Sequence, residues 1–282
     1  MSTAPDHYAR TPMLTDSDRL IEAFDRFRRS IEAQRGPAIA NDDPEALHDL
    51  RVAVRRTRSG LKHCAGLLSR RQRKHFQAEF SRLQDVTGPA RDYEVWMASL
   101  PMDDPLRLVL ASYYDAARGE AVVALGSRHT KRLLAEWHTA LVELPDGSNA
   151  VSADERIGLQ HERVMAAAET ASVDAPATDL HQLRKRVKEL RYLIELFRED
   201  GDRSLRKPLK RLQDALGEVQ DAEVQRAWLI EHQEEVGPID VRLKDLDVRD
   251  ASARSQYVEA FAEFVDLLRP APCSTSTPCA PV

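Results

Sequence analysis

The sequence has few of the residues that mark a disulfide-stabilised or metal-binding protein. It contains three cysteines and 11 glycines among 282 residues, and aromatic residues make up 6% of the chain. Three cysteines cannot form a disulfide framework, and Cys273 and Cys279 lack the spacing of metal ligands, so we expect no metal site. Cys64 lies on the apolar side of a helical pattern and is interpreted as a small core residue.

Long apolar runs and a positive net charge are also absent. No segment is long and uncharged enough to span a bilayer, and the polar N-terminus lacks the apolar run of a signal peptide, so we expect a cytoplasmic protein. The formal net charge is −5, so the chain as a whole does not attract phosphate and any polyanion site must be a local patch. The scarcity of glycine beside abundant Ala, Leu, Arg and Glu favours helix.

Two segments of the chain are near-copies of each other. They read LHDLRVAVRRTRSGLKHC from Leu47 and LHQLRKRVKELRYLIELF from Leu180. Both copies have His, Arg, Arg or Lys, and Arg at the same relative positions. On an α-helix these side chains fall within a stripe about 80° wide. The first stripe consists of His48, Arg51, Arg55, Arg58 and Lys62, and the second stripe of His181, Arg184, Lys188 and Arg191.

An apolar row accompanies each stripe on the neighbouring side of the helix. The rows are Leu47, Leu50, Val54 and Leu61 in the first copy and Leu180, Leu183, Val187 and Ile194 in the second. This period predicts amphipathic helices that pack in a bundle. No stretch alternates apolar and polar residues with period two, so we expect no sheet.

A second motif repeats after the first. It reads RLQDVTGPARDYEV from Arg82 and RLQDALGEVQDAEV from Arg211. Two motifs that recur in the same order indicate a duplicated helical half. Gly88 and Gly217 are predicted to end helices in the left-handed conformation, with Asp92 and Asp221 capping the next helix or pairing with a basic residue.

The composition divides the chain into a disordered leader (1–14), a helical domain (15–269) and a disordered tail (270–282). Within the domain, Pro145-Asp146-Gly147-Ser148-Asn149 is interpreted as a linker between a first half (about 15–145) and a second half (about 150–269). Gly36-Pro37 predicts the end of the first helix. Trp96, Trp137 and Trp228 occupy apolar helical positions and are predicted to lie in the core.

The pattern H-x-x-R-x-x-x-[RK]-x-x-R followed by L-x-x-x-x-G-x-x-x-D, present twice, resembles the CHAD domain, the conserved histidine α-helical domain. The resemblance implies an all-α fold of two pseudo-symmetric antiparallel helical bundles. It also implies that both stripes face a basic cavity that binds inorganic polyphosphate, in proteins associated with polyphosphate metabolism. The second copy departs from this pattern, because Glu189 and Glu195 stand where the first has Arg56 and Lys62.

These observations predict non-catalytic polyphosphate binding, with no cofactor, by an accessory or targeting protein whose partners are polyphosphate-metabolising enzymes or granules. A linear polyanion needs closely spaced cations, and the arginine fork can bind phosphate oxygens bidentately. A peripheral electrostatic role is assigned to a further basic group: Arg73, Lys74, Arg82, Lys207, Lys210 and Arg211.

Three alternatives stay open at the level of sequence. Histidine beside arginine could transfer a phosphoryl group through phosphohistidine, although the chain has no phosphate-binding glycine loop and no zinc-protease motif. Nucleic-acid binding is disfavoured by the acidic net charge and by the lack of aromatic residues in the stripes. A helical adaptor that binds a protein partner would show the same amphipathic pattern.

Overall fold

The structure is a computed structural model that describes residues 14–144, 151–197 and 203–268. The predicted leader (except Leu14), the linker at 145–149 and the predicted tail lie outside these residues. The described chain forms eleven α-helices and no strand, which confirms the all-α prediction. The helices are α1 Asp16–Ala40, α2 Ala46–Leu61, α3 Arg70–Val86, α4 Gly88–Ser99, α5 Leu106–Gly126, α6 Arg128–Val142, α7 Ala153–Ala168, α8 Ala177–Phe197, α9 Arg203–Glu231, α10 Gln233–Val236 and α11 Asp240–Leu268. Within the described ranges, no helix is apolar over a length that could cross a bilayer.

The first helix shows how local chemistry sets the helix ends. Thr15 forms a capping box with Asp18, which satisfies two backbone donors at the start of α1. The prediction that Gly36-Pro37 ends this helix is wrong, because α1 continues to Ala40 with Pro37 inside its last turn. Asn41 closes the helix instead, at φ 62°, and its N–H donates to the Pro37 carbonyl. Asparagine tolerates this left-handed conformation better than most residues.

The chain divides into two compact units, of which the first comprises residues 1–158 and 195–197. In this unit α1 packs along α2, and α6 closes the core against α1 and α3. Trp137 lies at the centre with no exposed surface. Its ring meets Phe24, Phe76 and Phe80 edge to face, at centroid distances of 5.1, 4.7 and 5.7 Å. Edge-to-face contacts suit the charge distribution of aromatic rings, so this cluster anchors the first unit.

The second unit comprises residues 159–194 and 198–282. Here α9 and α11 pack side by side, and Phe264 is fully buried. Arg254 of α11 donates to the carbonyls of Val173 and Ala175, each at 2.8 Å. The Tyr257 hydroxyl donates to the Ala171 carbonyl. These bonds fix the segment between α7 and α8 against α11, and so fix the start of α8.

The helices α2 and α8, which carry the first repeated motif, are buried in the predicted pattern. All eight residues of the apolar rows on α2 and α8 are buried, which confirms the prediction of amphipathic bundle helices. Cys64 is fully buried, and burial raises the pKa of its thiol to about 11, so the thiol stays protonated and unreactive. Trp96 and Trp137 lie in the core as predicted. Trp228 is only half-buried, and it stacks on His232 with ring centroids 4.1 Å apart.

Candidate functional site

The first stripe lies on α2, on the side next to the buried apolar row. His48, Arg51, Arg55 and Arg58 are half-buried, and Lys62 is exposed just beyond the end of the helix. Half-burial is the geometry that a cation needs to hold a surface ligand, because it reduces competition from water while leaving part of the group accessible. The stripe therefore offers a row of accessible cations along one side of α2.

Arg51 is held more tightly than a surface arginine. Its Nη1 donates to the Gln84 carbonyl at 2.8 Å and to the Thr87 hydroxyl at 3.2 Å. The Gln84 side chain, with its amide oriented to satisfy both ends, donates to the Arg51 carbonyl and accepts from Nη2, each at 3.2 Å. Arg51 thus joins α2 to the end of α3. A cation there also complements the negative end of the α3 dipole.

The charges around Arg51 oppose one another. Burial lowers the pKa of its guanidinium, Asp92 and Asp85 raise it, and Arg55 and Arg91 lower it further. Burial likewise lowers the pKa of Arg58, against the influence of Asp85. An arginine whose pKa is lowered by burial still carries its charge at neutral pH, so these groups are desolvated cations that a phosphate oxygen would stabilise.

The repeated glycine packs against the first arginine of each stripe. A Cβ added at Gly88 would lie 3.3 Å from Arg51 Nη1, and one at Gly217 would lie 3.8 Å from Arg184 Nε and Nη2. The prediction that these glycines end helices in the left-handed conformation is wrong. Neither has a positive φ; Gly88 begins α4, and Gly217 lies inside α9. The close approach of Arg51 explains a glycine at position 88, whereas a Cβ at position 217 would meet Arg184 at ordinary contact distance.

The two glycines differ in the space around them, and this predicts opposite effects of alanine. We expect Gly217→Ala to raise the free energy of unfolding by up to about 1 kcal/mol, because alanine favours helix and its Cβ meets Arg184 at ordinary contact distance. We expect Gly88→Ala to lower it by about 1 kcal/mol, because the Cβ forces the bonded Arg51 to move. Urea denaturation followed by circular dichroism measures both. Equal effects of the two substitutions would contradict this account of the glycines.

The second stripe lies on α8, where His181, Arg184, Lys188 and Arg191 are all half-buried. Burial lowers the pKa of His181, and the nearby Lys185 adds to the effect. A hydrogen bond with Gln220 raises it in part, while Arg184 and Lys188 lower it. The Nδ1 of His181 is buried and has no hydrogen-bond partner within the described ranges. The free protein therefore favours the neutral imidazole at this position.

Two residues beside the stripes were missed by the sequence reasoning. Arg91 acts electrostatically on Arg51 in the first unit, and Gln220 bonds His181 in the second. They occupy matching positions of the second repeated motif, one residue before Asp92 and Asp221. Their shared register was the available signal, but an arginine in one copy and a glutamine in the other do not match as residue types.

The family model for the CHAD domain matches residues 22–230, well over half of the chain. The chain belongs to the CHAD domain family. Two solved structures share its fold. The CHAD domain from the plant Ricinus communis gives a TM-score of 0.69 at 23% identity, covering 92% of this chain and 93% of that one. PptA from Streptomyces chartreusis gives 0.66 at 19% identity, covering 90% and 99%. A comparison with curated proteins gives no significant match.

The two acidic residues that replace basic ones in the second copy, Glu189 and Glu195, both lie beside an arginine. Glu189 is buried, and Arg186 lies 3.9 Å from its carboxylate. Glu195 belongs to the first compact unit and pairs with Arg56 of α2 at 3.2 Å. Arg56 faces away from the first stripe by about 80°, so this ion pair removes no cation from the row of His48, Arg55 and Arg58.

The peripheral basic residues are engaged to different degrees. Three pair with carboxylates: Arg82 with Glu79 at 3.1 Å, Lys210 with Asp214 at 2.7 Å, and Arg211 with Glu263 at 2.6 Å. Lys74 and Lys207 are exposed, and Arg73 is half-buried. Exposed ion pairs are weak, so a polyanion could still compete for the paired cations, and the peripheral role stays a prediction.

Two further predictions concern a basic cavity shared by the stripes and the absence of a metal site. The first stripe lies in one compact unit and the second stripe in the other, so the shared basic cavity of the CHAD resemblance stays a prediction. Among the described residues, no group of three or more His, Cys, Asp or Glu side chains could hold a metal ion.

Proposed function

We propose that this CHAD domain binds inorganic polyphosphate without chemical turnover, through the first stripe on α2 and the second stripe on α8. The observation that carries the proposal is the pair of half-buried cationic rows, each beside an apolar row that is fully packed. The CHAD family is linked to polyphosphate-related proteins. The role that fits is an accessory or targeting protein, with polyphosphate-metabolising enzymes or granules as its partners.

The spacing of the cations suits a linear chain of phosphates. Successive stripe residues on α2 lie one helical turn apart, about 5–6 Å, so His48 to Lys62 spans about 21 Å of ligand. An arginine with free N–H groups can donate hydrogen bonds to two phosphate oxygens through its planar fork. Once one phosphate is bound, its neighbours meet the next cations at high effective concentration, which favours long chains over single phosphates.

The direct test is binding of labelled polyphosphates of graded length at fixed salt, measured by fluorescence anisotropy. We expect long chains to bind far more tightly than tripolyphosphate or orthophosphate, and affinity to fall steeply with salt as counterions are released. Single-stranded RNA at matched charge is the competitor, because it offers similar phosphates with bases attached. Displacement by RNA at equal concentration would overturn the assignment. Shortening of the polyphosphate during incubation, or transfer of a labelled phosphate to a histidine, would indicate that the protein is an enzyme instead.

Binding is expected to tighten as the pH falls, because of His181. Its pKa is lowered in the free protein, and bound phosphate favours the imidazolium, so binding takes up a proton. Affinity therefore rises as the pH falls through the pKa of the complex and levels off below the pKa of the free protein. We expect binding about three- to tenfold tighter at pH 5.5 than at pH 7.5, since each unit of pKa difference is worth up to tenfold. Calorimetry in buffers of different ionisation enthalpy measures the proton uptake.

His181→Gln is the control for this pH effect. Glutamine keeps a hydrogen-bonding group of similar size but cannot be protonated, so the variant is expected to lose most of the pH dependence. His48→Gln separates the contribution of the first stripe. An affinity that is independent of pH in the unmodified protein would show that neither histidine contacts the ligand.

A further inference from the structure

The first arginine of each stripe is the same in sequence but not in surroundings. Arg51 is bonded to the Gln84 carbonyl, the Thr87 hydroxyl and the Gln84 amide. Arg184 packs over Gly217, and its Nε is buried without a hydrogen-bond partner in the part of the chain that the structure describes. Gln213 matches Gln84 in the repeat, and its Oε1 is also buried without a partner there. The network that holds Arg51 therefore has no full counterpart around Arg184.

Two sequence differences, on either side of the shared glycine, explain this asymmetry. The first copy has Thr87, Gly88 and Pro89, whereas the second has Leu216, Gly217 and Glu218. Proline has no N–H and clashes with the preceding turn, so α3 ends at Val86 and α4 begins at Gly88. The last carbonyls of α3 are left without helical partners, and Arg51 caps one of them. With glutamate in place of proline, α9 runs unbroken through Gly217 to Glu231.

We propose that the two arginines have separate tasks: Arg51 is a positioning residue that holds α2 against the end of α3, and Arg184 contacts phosphate. This inference rests on the proposed function. The strong donors of Arg51 are already occupied by protein oxygens, so Arg51 sets the placement of Arg55 and Arg58 rather than the affinity directly. A buried donor without an acceptor costs free energy. A phosphate oxygen supplies the acceptor that Arg184 lacks.

Charge-conserving and charge-removing substitutions separate the two tasks. We expect Arg184→Gln to weaken polyphosphate binding about tenfold and to lower the slope of log affinity against log salt by about 0.7, with an unchanged melting temperature. Arg184→Lys is expected to recover binding to within about threefold, because an ammonium still neutralises phosphate, and the remaining loss is expected because lysine has no counterpart of the Nε donor. Arg51→Gln is expected to lower the melting temperature by about 3 °C and to leave the salt slope unchanged. Arg51→Lys is expected not to recover the melting temperature, since lysine cannot reproduce the hydrogen bonds of the forked guanidinium group.

Thr87→Val provides a second test of the anchor if the Arg51 variants fold poorly. It removes one acceptor of Arg51 while keeping the side-chain shape, and is expected to lower the melting temperature with an unchanged salt slope. If Arg51→Lys recovers as fully as Arg184→Lys, or if Arg51→Gln lowers the salt slope as Arg184→Gln does, the division of tasks is overturned. If the unmodified chain binds no polyphosphate, the proposed function and the role of Arg184 fail together, while the melting temperatures still decide the role of Arg51.

Discussion

Replacing Arg55, Arg58, Lys188 and Arg191 together with glutamine is expected to weaken polyphosphate binding at least about 100-fold, or roughly 2.7 kcal/mol. These four residues are two cations from each stripe, and the set leaves the anchor at Arg51 in place. Each lost phosphate contact also removes a released counterion, so the salt slope is expected to fall by about 3. Anisotropy titrations with long-chain polyphosphate at several salt concentrations measure both quantities.

A charge-matched variant controls for the loss of four positive charges. Arg128, Lys131 and Arg132 on α6 and Lys244 on α11 are exposed and lie outside the stripes. Their joint replacement with glutamine lowers the net charge equally, and we expect binding to change less than about threefold because screened distant charges contribute little. Equal losses in the two variants would mean that overall charge, rather than the stripes, governs binding.

Trp137→Ala is expected to lower the free energy of unfolding of the first unit by about 3–5 kcal/mol, the usual cost of removing a fully buried large aromatic side chain. Three phenylalanines lose an edge-to-face neighbour at once, and the resulting cavity lies between helices that cannot close around it without moving α6. Urea denaturation followed by far-ultraviolet circular dichroism measures the change. Polyphosphate binding by the variant under native conditions shows whether α2, which carries the first stripe, retains its position.

Trp228→Ala is the matched control, because it removes the same side chain from a half-buried position. Trp228 of α9 stacks on His232, which follows the last residue of that helix, and we expect its loss to cost less than about 1.5 kcal/mol. A cost at Trp228 equal to that at Trp137 would show that burial does not explain the difference between the two tryptophans.

Periodicity alone was enough to predict the helices and their buried faces. Leu50, Val54, Leu183 and Val187 fall on an apolar row of period 3.6, and a row of that kind has to be buried whatever surrounds it. The structure buries all four. The all-α class followed for the same reason, because no segment alternates with the period of a strand.

The wrong predictions about helix ends concern glycine and proline. Gly88 and Gly217 were interpreted through backbone conformation, but neither has a positive φ, and only Gly88 is closely approached by a guanidinium, that of Arg51 on α2. Pro37 was expected to end α1, although a proline in the last turn removes only one backbone donor. The approach of Arg51 to Gly88 cannot be read from local spacing, because Arg51 belongs to another helix.

The charge pattern of the stripes was visible in the sequence, but the partners of individual charges were not. Glu195 was noted as an interruption of the second copy, and its partner Arg56 lies 139 positions away. The same holds for Arg51, whose acceptors lie 33 and 36 positions further along the chain. Such pairs depend on which helices pack together, which a repeat of residue types does not specify.

The proline at position 89 has a consequence for how this chain, with its repeated motifs, can change over evolutionary time. Because it opens the end of α3 to Arg51, we expect the two sites to form an epistatic pair. Lysine at position 51 is expected to destabilise the protein while Pro89 is present, and to have little effect once α3 and α4 form one continuous helix. In relatives that carry a non-proline residue at this position, arginine and lysine are therefore expected to exchange freely at the site of Arg51, as they are at the site of Arg184.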